Sequence, residues 1–192
     1  MARPKAYDED TVLTAAMLCF WRNGYTATSI KDLQVATALT PGSLYNSFES
    51  KNGLFTRVLD YYVDKVVQER VARLLLAEDP IKGIEQYFIE CFDDKAAARG
   101  MGCLLVNTST ELGSVDRIIR KKVAAGLKVA EQGLASALVR AQRKGQLSKD
   151  IDVIERATHL ALLLSGMLVS TKTVNNPRWL PNAMGIVRGL LH

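Results

Sequence analysis

The chain has 192 residues, 48% of them hydrophobic, and its 25 Lys and Arg against 20 Asp and Glu give a net charge of +5. A chain of this length and composition buries a substantial core, which excludes a disordered protein. It has three cysteines without a paired spacing, no run of about 18 apolar residues free of polar breaks, and no signal-peptide core at its N-terminus. We therefore expect a soluble cytoplasmic protein with reduced thiols, no membrane association, and no metal or cofactor.

The first two predicted helices follow each other closely. Apolar residues from Val12 to Phe20 recur at helical spacing, and Asn23-Gly24 is a pair that ends helices. Thr28 is then a suitable N-cap for a second, short helix. These two helices are predicted to bury a small core between them.

A third helix is predicted within LTPGSLYNSFESK, residues 39–51. Thr40 is a good N-cap, Pro41 suits the first helical position, and Ser50 caps the following helix, so the third ends near Ser47. A helix of fewer than about two turns is unstable alone and must be held by its neighbours. Its inward anchors are Leu44 and Phe48.

The outward face of this third helix is polar. Small hydroxyl groups, a tyrosine and an amide on such a face are able to contact phosphates and base edges. Two short helices joined by a tight turn, the second with a polar outer face, form a helix-turn-helix. The outward residues are Thr40, Pro41, Ser43, Tyr45, Asn46 and Ser47.

The remaining chain is predicted to be helical throughout. A long helix from Leu54 to Leu76 connects to a fifth helix at Asp79-Pro80, and shorter and longer helices follow at 102–112 and 115–144. Another begins at Asp152, where Glu155 has capping-box spacing, and the last begins at Asn176 or Pro181 and ends at Leu191. We therefore predict an all-α fold of about nine helices, with a helix-turn-helix domain over 1–52 and an effector-binding and dimerisation domain over 53–192.

Charge does not mark the helix-turn-helix as a DNA-binding surface. Residues 1–51 hold five Lys and Arg against five Asp and Glu, so that contact with phosphates depends on local placement of cations such as Lys51. Residues 114–150 hold nine Lys and Arg against three Asp and Glu, and they include the basic stretch RIIRKK at 117–122. That stretch is interpreted as the solvated face of a helix, with nucleic-acid binding as the alternative.

The segment from Asp10 to Phe55 resembles the DNA-binding domain of the TetR/AcrR family of transcriptional repressors. The resemblance rests on FWRNGYTATSIKDL followed by LTPGSLYNSFESKNGLF, and it covers about the first quarter of the chain. It implies a homodimer on a palindromic double-stranded operator and release of the DNA by an inducer that the sequence does not identify. The implied DNA-binding residues are Thr28, Thr40, Pro41, Gly42, Ser43, Tyr45, Asn46, Ser47 and Lys51.

Two residues depart from the family pattern. The turn between the second and third helices, which usually contains Gly, has Ala38, and Gln34 stands where Ala is usual. An alanine in a left-handed turn costs about 1 kcal/mol.

Cys103 is the strongest candidate for a sensing residue. It lies in RGMGCLLVNTSTELG near the start of a predicted helix, whose dipole favours a thiolate, with Arg99 nearby. The GCLL stretch resembles a branch of the family in which a cysteine responds to electrophiles or oxidants. The alternative is a small buried hydrophobic residue. Phe88 and Phe92 are predicted to line the effector pocket or to belong to the core.

The last two helices are the predicted dimer surface. ATHLALLLSGMLV, at 157–169, is apolar on nearly all sides, which is more than the helix of a monomer requires. Two copies of each helix are expected to form a four-helix bundle. The residues assigned to this interface are His159, Leu163, Met167, Ile186 and Leu190.

The sequence also bears on two other classes of protein, an enzyme and a helical interaction module. An enzyme is excluded because the chain has no GxxxxGK[ST], GxSxG or HExxH motif and only two histidines. An all-helical interaction module that does not bind DNA remains the alternative to the regulator.

Overall fold

The computed structural model describes residues 7–92, 101–114, 116–174 and 176–192, and all the regular structure within these ranges is helical. The all-α prediction is confirmed, and nine α-helices lie in the described ranges. They are α1 (Glu9–Asn23), α2 (Ile30–Thr37), α3 (Pro41–Phe48), α4 (Lys51–Tyr62), α5 (Pro80–Glu90), α6 (Leu104–Leu112), α7 (Arg117–Arg143), α8 (Val153–Ser170) and α9 (Trp179–Gly189).

Most helix starts lie where the capping residues predict them. The side chains of Thr40, Ser50 and Asp79 accept hydrogen bonds from backbone amides at the starts of α3, α4 and α5. The prediction for α2 is wrong by one residue. Ser29, not Thr28, is its N-cap, because Ser29 and Asp32 close a reciprocal capping box.

Helix α6 begins later than predicted, whereas α8 begins at Asp152 as predicted but without the capping box. Cys103 is the N-cap residue of α6 and lies before its first turn, with an extended backbone and no capping bond from its thiol. Asp152 caps α8 by accepting from the amides of Ile154 and Glu155, but the Glu155 carboxylate lies 3.8 Å from the imidazole of His159. The capping box predicted there is therefore not the arrangement in the structure.

The connecting helix does not stay α-helical to its end. After α4 the chain continues through two stretches of π-helix, Val63–Gln68 and Val71–Leu75. Helix α7 packs closely on both stretches. A Cβ atom on its Gly126 would lie 2.7 Å from Val63 Cγ2, and a Cβ atom on Gly133 would lie 2.8 Å from Val71 Cγ1. π-helical stretches inside helices are frequent at functional sites.

Two hydrophobic clusters hold the helices together. The first joins α1, α3 and α4 to Leu104 and Leu105 of α6 and to Ile119 and Val123 of α7. The second joins α5, α7, α8 and α9. Because α6 and α7 reach the first cluster, the helix-turn-helix packs directly on the rest of the chain. The domain boundary at residue 52 stays a prediction.

Helix α8 is unusually apolar on its outside. Val153–Ser170 is long and apolar enough to cross a membrane by length and composition, with a mean hydropathy of 1.3, and only 28% of it is buried. A single such helix is weak evidence for a membrane span, and α8 packs its buried face on the second cluster. Its exposed apolar residues include Leu162, at 67% exposure.

Ala38 adopts the left-handed conformation that its position in the turn suggested, with φ 56° and ψ 18°. We expect Ala38→Gly to raise the free energy of unfolding by about 1 kcal/mol, because glycine has no Cβ to strain in this region. Urea unfolding of the two proteins measures the difference.

Ala36 provides the matched control for this substitution. It lies two residues earlier, exposed and inside α2. Ala36→Gly should lower the free energy of unfolding by about 1 kcal/mol, because glycine is a poor helix former. Destabilisation by both substitutions would contradict the strain assigned to Ala38.

Candidate nucleic-acid interface and effector cavity

One face of helix α3 is buried against the protein and the opposite face is exposed to solvent. Leu44 and Phe48 are each only 5% exposed, whereas the Tyr45 side chain is 48% exposed. Thr40 Oγ1 accepts from the amide of Ser43 at 3.2 Å, so the N-terminal turn is ordered by its own cap. The structure therefore places α3 as a buttressed helix with a polar outer face. That face carries Thr40, Pro41, Gly42, Tyr45 and Asn46 as exposed residues and Ser43 and Ser47 as half-buried ones.

The end of α3 meets the start of α4 at very short range. A Cβ atom on Gly53 would lie 2.0 Å from the carbonyl oxygen of Phe48, so only glycine fits there. Between them, Glu49 has a φ of 63°, a conformation that costs a non-glycine residue free energy. This tight junction holds α3 at a defined angle to α4. By contrast, Gly42 on the outer face has nearly empty space around its missing Cβ.

Two of the predicted phosphate contacts already have partners within the protein. Thr28 is 1% exposed and its hydroxyl donates to the carbonyl of Gly24, so its assignment to DNA contact is corrected: it is a buried structural residue. Ser29 takes the exposed position at the start of α2. Lys51 is half-buried, with Nζ 3.4 Å from the carbonyl oxygen of Thr26 and 4.4 Å from the centre of the Tyr25 ring.

The turn after α1 is clamped by a carboxylate from α6. The amides of Tyr25 and Thr26 donate to Glu111 at 3.0 Å and 2.6 Å. Burial raises the pKa of this carboxyl, but the hydrogen bonds from Thr26 and Tyr25 outweigh burial and hold it below its ordinary value. Sequence reasoning missed this contact, since 85 residues separate Glu111 from Thr26 and no local pattern signals it. The C-terminal end of α6 therefore contacts the turn that follows α1 in the helix-turn-helix domain.

We expect Glu111→Gln to lower the free energy of unfolding at pH 7 by about 1–2 kcal/mol, since the amide group cannot accept both backbone bonds. Because folding lowers the pKa of Glu111, its contribution is complete above the ordinary value of 4.5 and is lost as the pH falls through the lowered value. The difference between the two proteins should therefore shrink below about pH 4. Urea unfolding at pH 7 and at pH 3.5 measures both effects.

Glu85→Gln is the control for this prediction. Glu85 pairs with Arg188 at 3.4 Å on the surface, where such pairs contribute little. Equal effects of the two substitutions at pH 7 would contradict the clamp.

A cavity of about 70 Å³ lies where α1, α4 and its π-helical continuation, α5, α6, α7 and α8 meet. Its walls are mainly apolar, and Arg70 is the one charged residue among those that line it in the described part of the chain. Its aromatic wall residues are Trp21, Tyr62 and Tyr87.

Two free thiols face this cavity in different settings. The Tyr62 hydroxyl donates to Cys103 Sγ at 3.4 Å, and Cys103 is half-buried. Burial raises the pKa of the Cys91 thiol to about 12, although Arg70 lies 3.6 Å from its sulfur and opposes the shift. At neutral pH, Cys91 is therefore an unreactive thiol, and Cys103 is the candidate nucleophile. Arg99, which the sequence placed near Cys103, lies outside the described residues.

Of the two roles predicted for Phe88 and Phe92, the structure supports the core and not the cavity wall. Phe88 is fully buried inside the second cluster, and the ring of Phe92 packs edge-on against Trp179 with 5.6 Å between centroids. Neither lines the cavity. Their neighbours Tyr87 and Cys91 do, because successive residues on a helix point about 100° apart and the apolar stripe of α5 serves both the core and the cavity.

The outer faces of α8 and α9 agree only in part with the predicted dimer surface. His159 and Ile186 are exposed, Ile186 by 58%, and Leu163 and Leu190 are half-buried against the core. Met167 is only 4% exposed and belongs to the second cluster, so its assignment to the interface is corrected. Met167 therefore lies on the side of α8 that packs into the second cluster, not on its exposed apolar side.

The basic stretch at 117–122 lies on α7. Arg117, Arg120 and Lys121 are exposed, and Lys122 Nζ pairs with the Asp60 carboxylate at 2.7 Å. No group of three potential metal ligands occurs within the described ranges.

Two family descriptions match the chain. Residues 12–58 match that of bacterial regulatory proteins of the tetR family, and residues 79–187 match the tetracyclin repressor-like C-terminal domain. Among curated proteins, the chain is 33% identical over 174 residues to the HTH-type transcriptional repressor ComR of Escherichia coli K12, covering 88% of this chain and 82% of ComR. It is 26% identical to the HTH-type transcriptional repressor DhaR of Mycobacterium sp. GP1, and the match covers 88% of this chain and 84% of DhaR.

Solved structures of other regulators are also similar to the chain. A cysteine mutant of the TetR family regulator CifR, in complex with a 26-base-pair double-stranded operator DNA, is 30% identical to the chain and covers 98% of each, with a TM-score of 0.79. The reduced form of Escherichia coli NemR has a TM-score of 0.84 at 20% identity, covering 95% of this chain and 96% of NemR, and shows likeness of fold.

Proposed function

The chain belongs to the TetR family of bacterial regulatory proteins, and we propose that it is a transcriptional repressor that binds a palindromic operator as a homodimer and releases it when an inducer binds. The observation that carries the proposal is α3, a helix pinned by Leu44 and Phe48 that exposes Tyr45 and its polar neighbours. CifR, which resembles the chain along its whole length, was solved on operator DNA. A bacterial transcription regulator works in the cytoplasm, where we place this protein.

In this proposal α3 enters the major groove of the operator. Ser43 and Asn46 supply donors and acceptors for base edges, while Thr40 and Tyr45 contact the DNA backbone. Gly42 has no side chain on the exposed face, so the helix backbone approaches the DNA closely there. Pro41 and Ser47 complete the contact surface, and Lys51 reaches a phosphate near the turn that it already contacts.

The proposed dimer is formed by α8 and α9. The exposed face of α8 carries His159, Leu162 and Val169, and that of α9 carries Ile186. Gly166, Gly185 and Gly189 have open space at their missing Cβ atoms, which lets helices of a second copy approach closely. An apolar surface of this kind on a soluble regulator is covered when two copies form a four-helix bundle. Two α3 helices on one two-fold axis then match the two halves of a palindrome.

Helix α6 is the proposed link between the inducer site and the DNA-binding domain. Its N-cap residue, Cys103, lies on the cavity wall, and Glu111 near its other end clamps the turn after α1. A ligand that displaces the start of α6 therefore also moves the clamp. Release of DNA follows when the inducer binds better to the conformation in which the two α3 helices are wrongly spaced.

We propose that one class of inducer is a reactive electrophile or oxidant that modifies Cys103. The Tyr62 hydroxyl donates to the Cys103 sulfur at 3.4 Å, and burial raises the pKa of Tyr62 well above its ordinary value, so the hydroxyl keeps its proton. With an α,β-unsaturated aldehyde, the thiol loses its proton and the sulfur bonds to the β-carbon, while the C=C π electrons form the carbon–carbon double bond of an enolate and the C=O π electrons move to the oxygen. The enolate then takes up a proton at the α-carbon, so that S and H have added across the C=C bond. The added atoms have to occupy a cavity of about 70 Å³, which forces its walls apart.

The experiment that tests the proposed function is nuclease footprinting on DNA upstream of the protein's own gene. We expect a protected palindrome whose half-sites lie a whole number of helical turns apart, about 10 base pairs or a multiple. An all-helical interaction module would protect nothing. Protection of a palindrome by a protein that sedimentation identifies as a monomer would overturn the dimer but not the repressor.

A further inference from the structure

The first half of α7 has a basic surface. It contains no Asp or Glu, and three cations, Arg117, Arg120 and Lys121, are exposed on it. The ion pairs of this stretch within the described ranges are made by Lys122 and Lys128 instead. Exposed cations that are grouped together without acidic partners attract a polyanion.

The arginines at the start of α7 are not placed to stabilise the helix. Arg117 and Arg120 lie at its N-terminal end, where the helix dipole favours anions and disfavours cations. The first turn contains no acidic residue. The N-cap carboxylate of Asp116 already accepts from two backbone amides of the helix and from Asn52. The positive charge at this end therefore points to a partner outside the chain.

Two contacts fix α7 alongside α4. The side-chain amide of Asn52, at the start of α4, donates to Asp116 at 3.1 Å. Further along both helices, Lys122 pairs with Asp60 at 2.7 Å. Because the contacts follow in the same chain order on both helices, α4 and α7 run parallel and begin at the same level. The start of α7 therefore lies beside Lys51, for which a phosphate contact is proposed above.

We infer that Arg117 contacts the phosphate backbone of the operator next to the phosphate that Lys51 reaches, and that Arg120 adds to the positive field behind it. This inference rests on the proposed operator binding, and it extends the DNA-binding surface beyond the helix-turn-helix. Lys51 and Arg117 are each one residue away from the bond between Asn52 and Asp116. Helical side chains lean towards the N-terminus, so both arginines lean towards the end of α7 that lies beside Lys51.

The contact is to phosphate and carries no sequence information. Duplex DNA has a phosphate charge for about every 1.7 Å of its axis, so a cation beside Lys51 meets further phosphates whatever the bases are. In the proposed dimer, two copies of Arg117 make this contact. Ile118 is 63% exposed next to Arg117 but is uncharged, and we expect it to contribute nothing to the contact.

The first test measures operator affinity at several salt concentrations by fluorescence anisotropy. Arg117→Gln removes one phosphate contact from each protomer and two from the dimer. The slope of log K against log salt should therefore fall in magnitude by about 1.8, and the affinity at 100 mM salt by about ten-fold or more.

Arg143→Gln is the matched control. Arg143 is exposed at the other end of α7, about 39 Å along the helix from Arg117, and its substitution removes the same charge. That distance is several Debye lengths, so the affinity and the slope should stay at their wild-type values. Equal slopes for Arg117→Gln and Arg143→Gln would overturn the inference.

The second test separates a phosphate contact from base recognition and from a structural role. Arg117→Gln should weaken binding to a shuffled DNA by the same factor as binding to the operator, and Arg117→Lys, which keeps the charge, should keep the wild-type slope. The Tm of Arg117→Gln should equal or exceed that of the wild type, because a cation leaves the start of a helix. A loss of affinity confined to the operator, or a lower Tm with an unchanged slope, would contradict the phosphate contact.

These tests also distinguish the inference from the repressor function. If the wild-type protein binds its operator and Arg117→Gln binds it equally well, only the contact from α7 is removed. Failure of the wild-type protein to bind the operator would remove the repressor function and the contact together.

Discussion

Replacing Tyr45 and Asn46 together with alanine should weaken operator binding by about 100-fold or more while leaving the fold unchanged. Each good base or backbone contact contributes about 1–3 kcal/mol, and a dimer loses every contact twice. The fold is spared because both side chains are exposed on α3 and the anchors Leu44 and Phe48 remain. Fluorescence anisotropy with a labelled operator measures the affinity.

The double variant has a clear control and a clear second readout. Ile118→Ala removes a side chain that is 63% exposed on α7, far along the chain from α3, and should leave the affinity unchanged. Because Tyr45 and Asn46 are neutral, the slope of affinity against salt should also stay nearly the same. Retention of wild-type affinity by the double variant would show that α3 is not the helix that reads DNA.

Replacing Cys103 with serine should abolish release of the operator by crotonaldehyde, an α,β-unsaturated aldehyde. Serine keeps the size of the side chain but not the nucleophile, so the adduct does not form. We expect the wild-type complex to dissociate in proportion to the Cys103 adduct seen by mass spectrometry. Cys91 should stay unmodified at pH 7, because burial raises the pKa of its thiol to about 12.

Cys19→Ser is the matched control for this experiment. Cys19 is half-buried on α1, and burial raises the pKa of its thiol from the ordinary value, so it too should react slowly. The Cys19→Ser complex should respond to crotonaldehyde like the wild type. Release that proceeds equally in the Cys103→Ser complex would remove Cys103 as the sensor and leave it as a half-buried residue of the cavity wall.

Local signals predicted most of the secondary structure correctly. Thr40, Ser50 and Asp79 cap helices in the structure because capping depends on a few neighbouring residues, which the sequence displays directly. The N-cap of α2 was assigned to Thr28 instead of its neighbour Ser29, since both residues carry a hydroxyl group. The reciprocal hydrogen bonds between Ser29 and Asp32 make Ser29 the N-cap. Helical periodicity likewise predicted nine helices but not the two π-helical stretches after α4, which lie against Gly126 and Gly133 of α7.

The candidate sites were predictable only where they are local. The exposed residues of α3 could be predicted from the sequence because they all lie in one short helix. The cavity was not, since Trp21, Tyr87 and Cys103 come from distant helices, and the apolar pattern of α5 does not separate core residues such as Phe88 from wall residues such as Tyr87. Met167 was misplaced for a related reason. On a helix that is apolar nearly all round, the pattern does not show which side faces the protomer core.

The most direct test of the central claim is the ratio of two affinities, measured by anisotropy at 150 mM salt. One DNA is the fragment upstream of the protein's own gene, and the other has the same bases in shuffled order. A specific repressor that reads its operator through α3 should bind the upstream fragment at least about 1,000-fold more tightly. Equal affinity for the two fragments would contradict sequence-specific recognition by this protein.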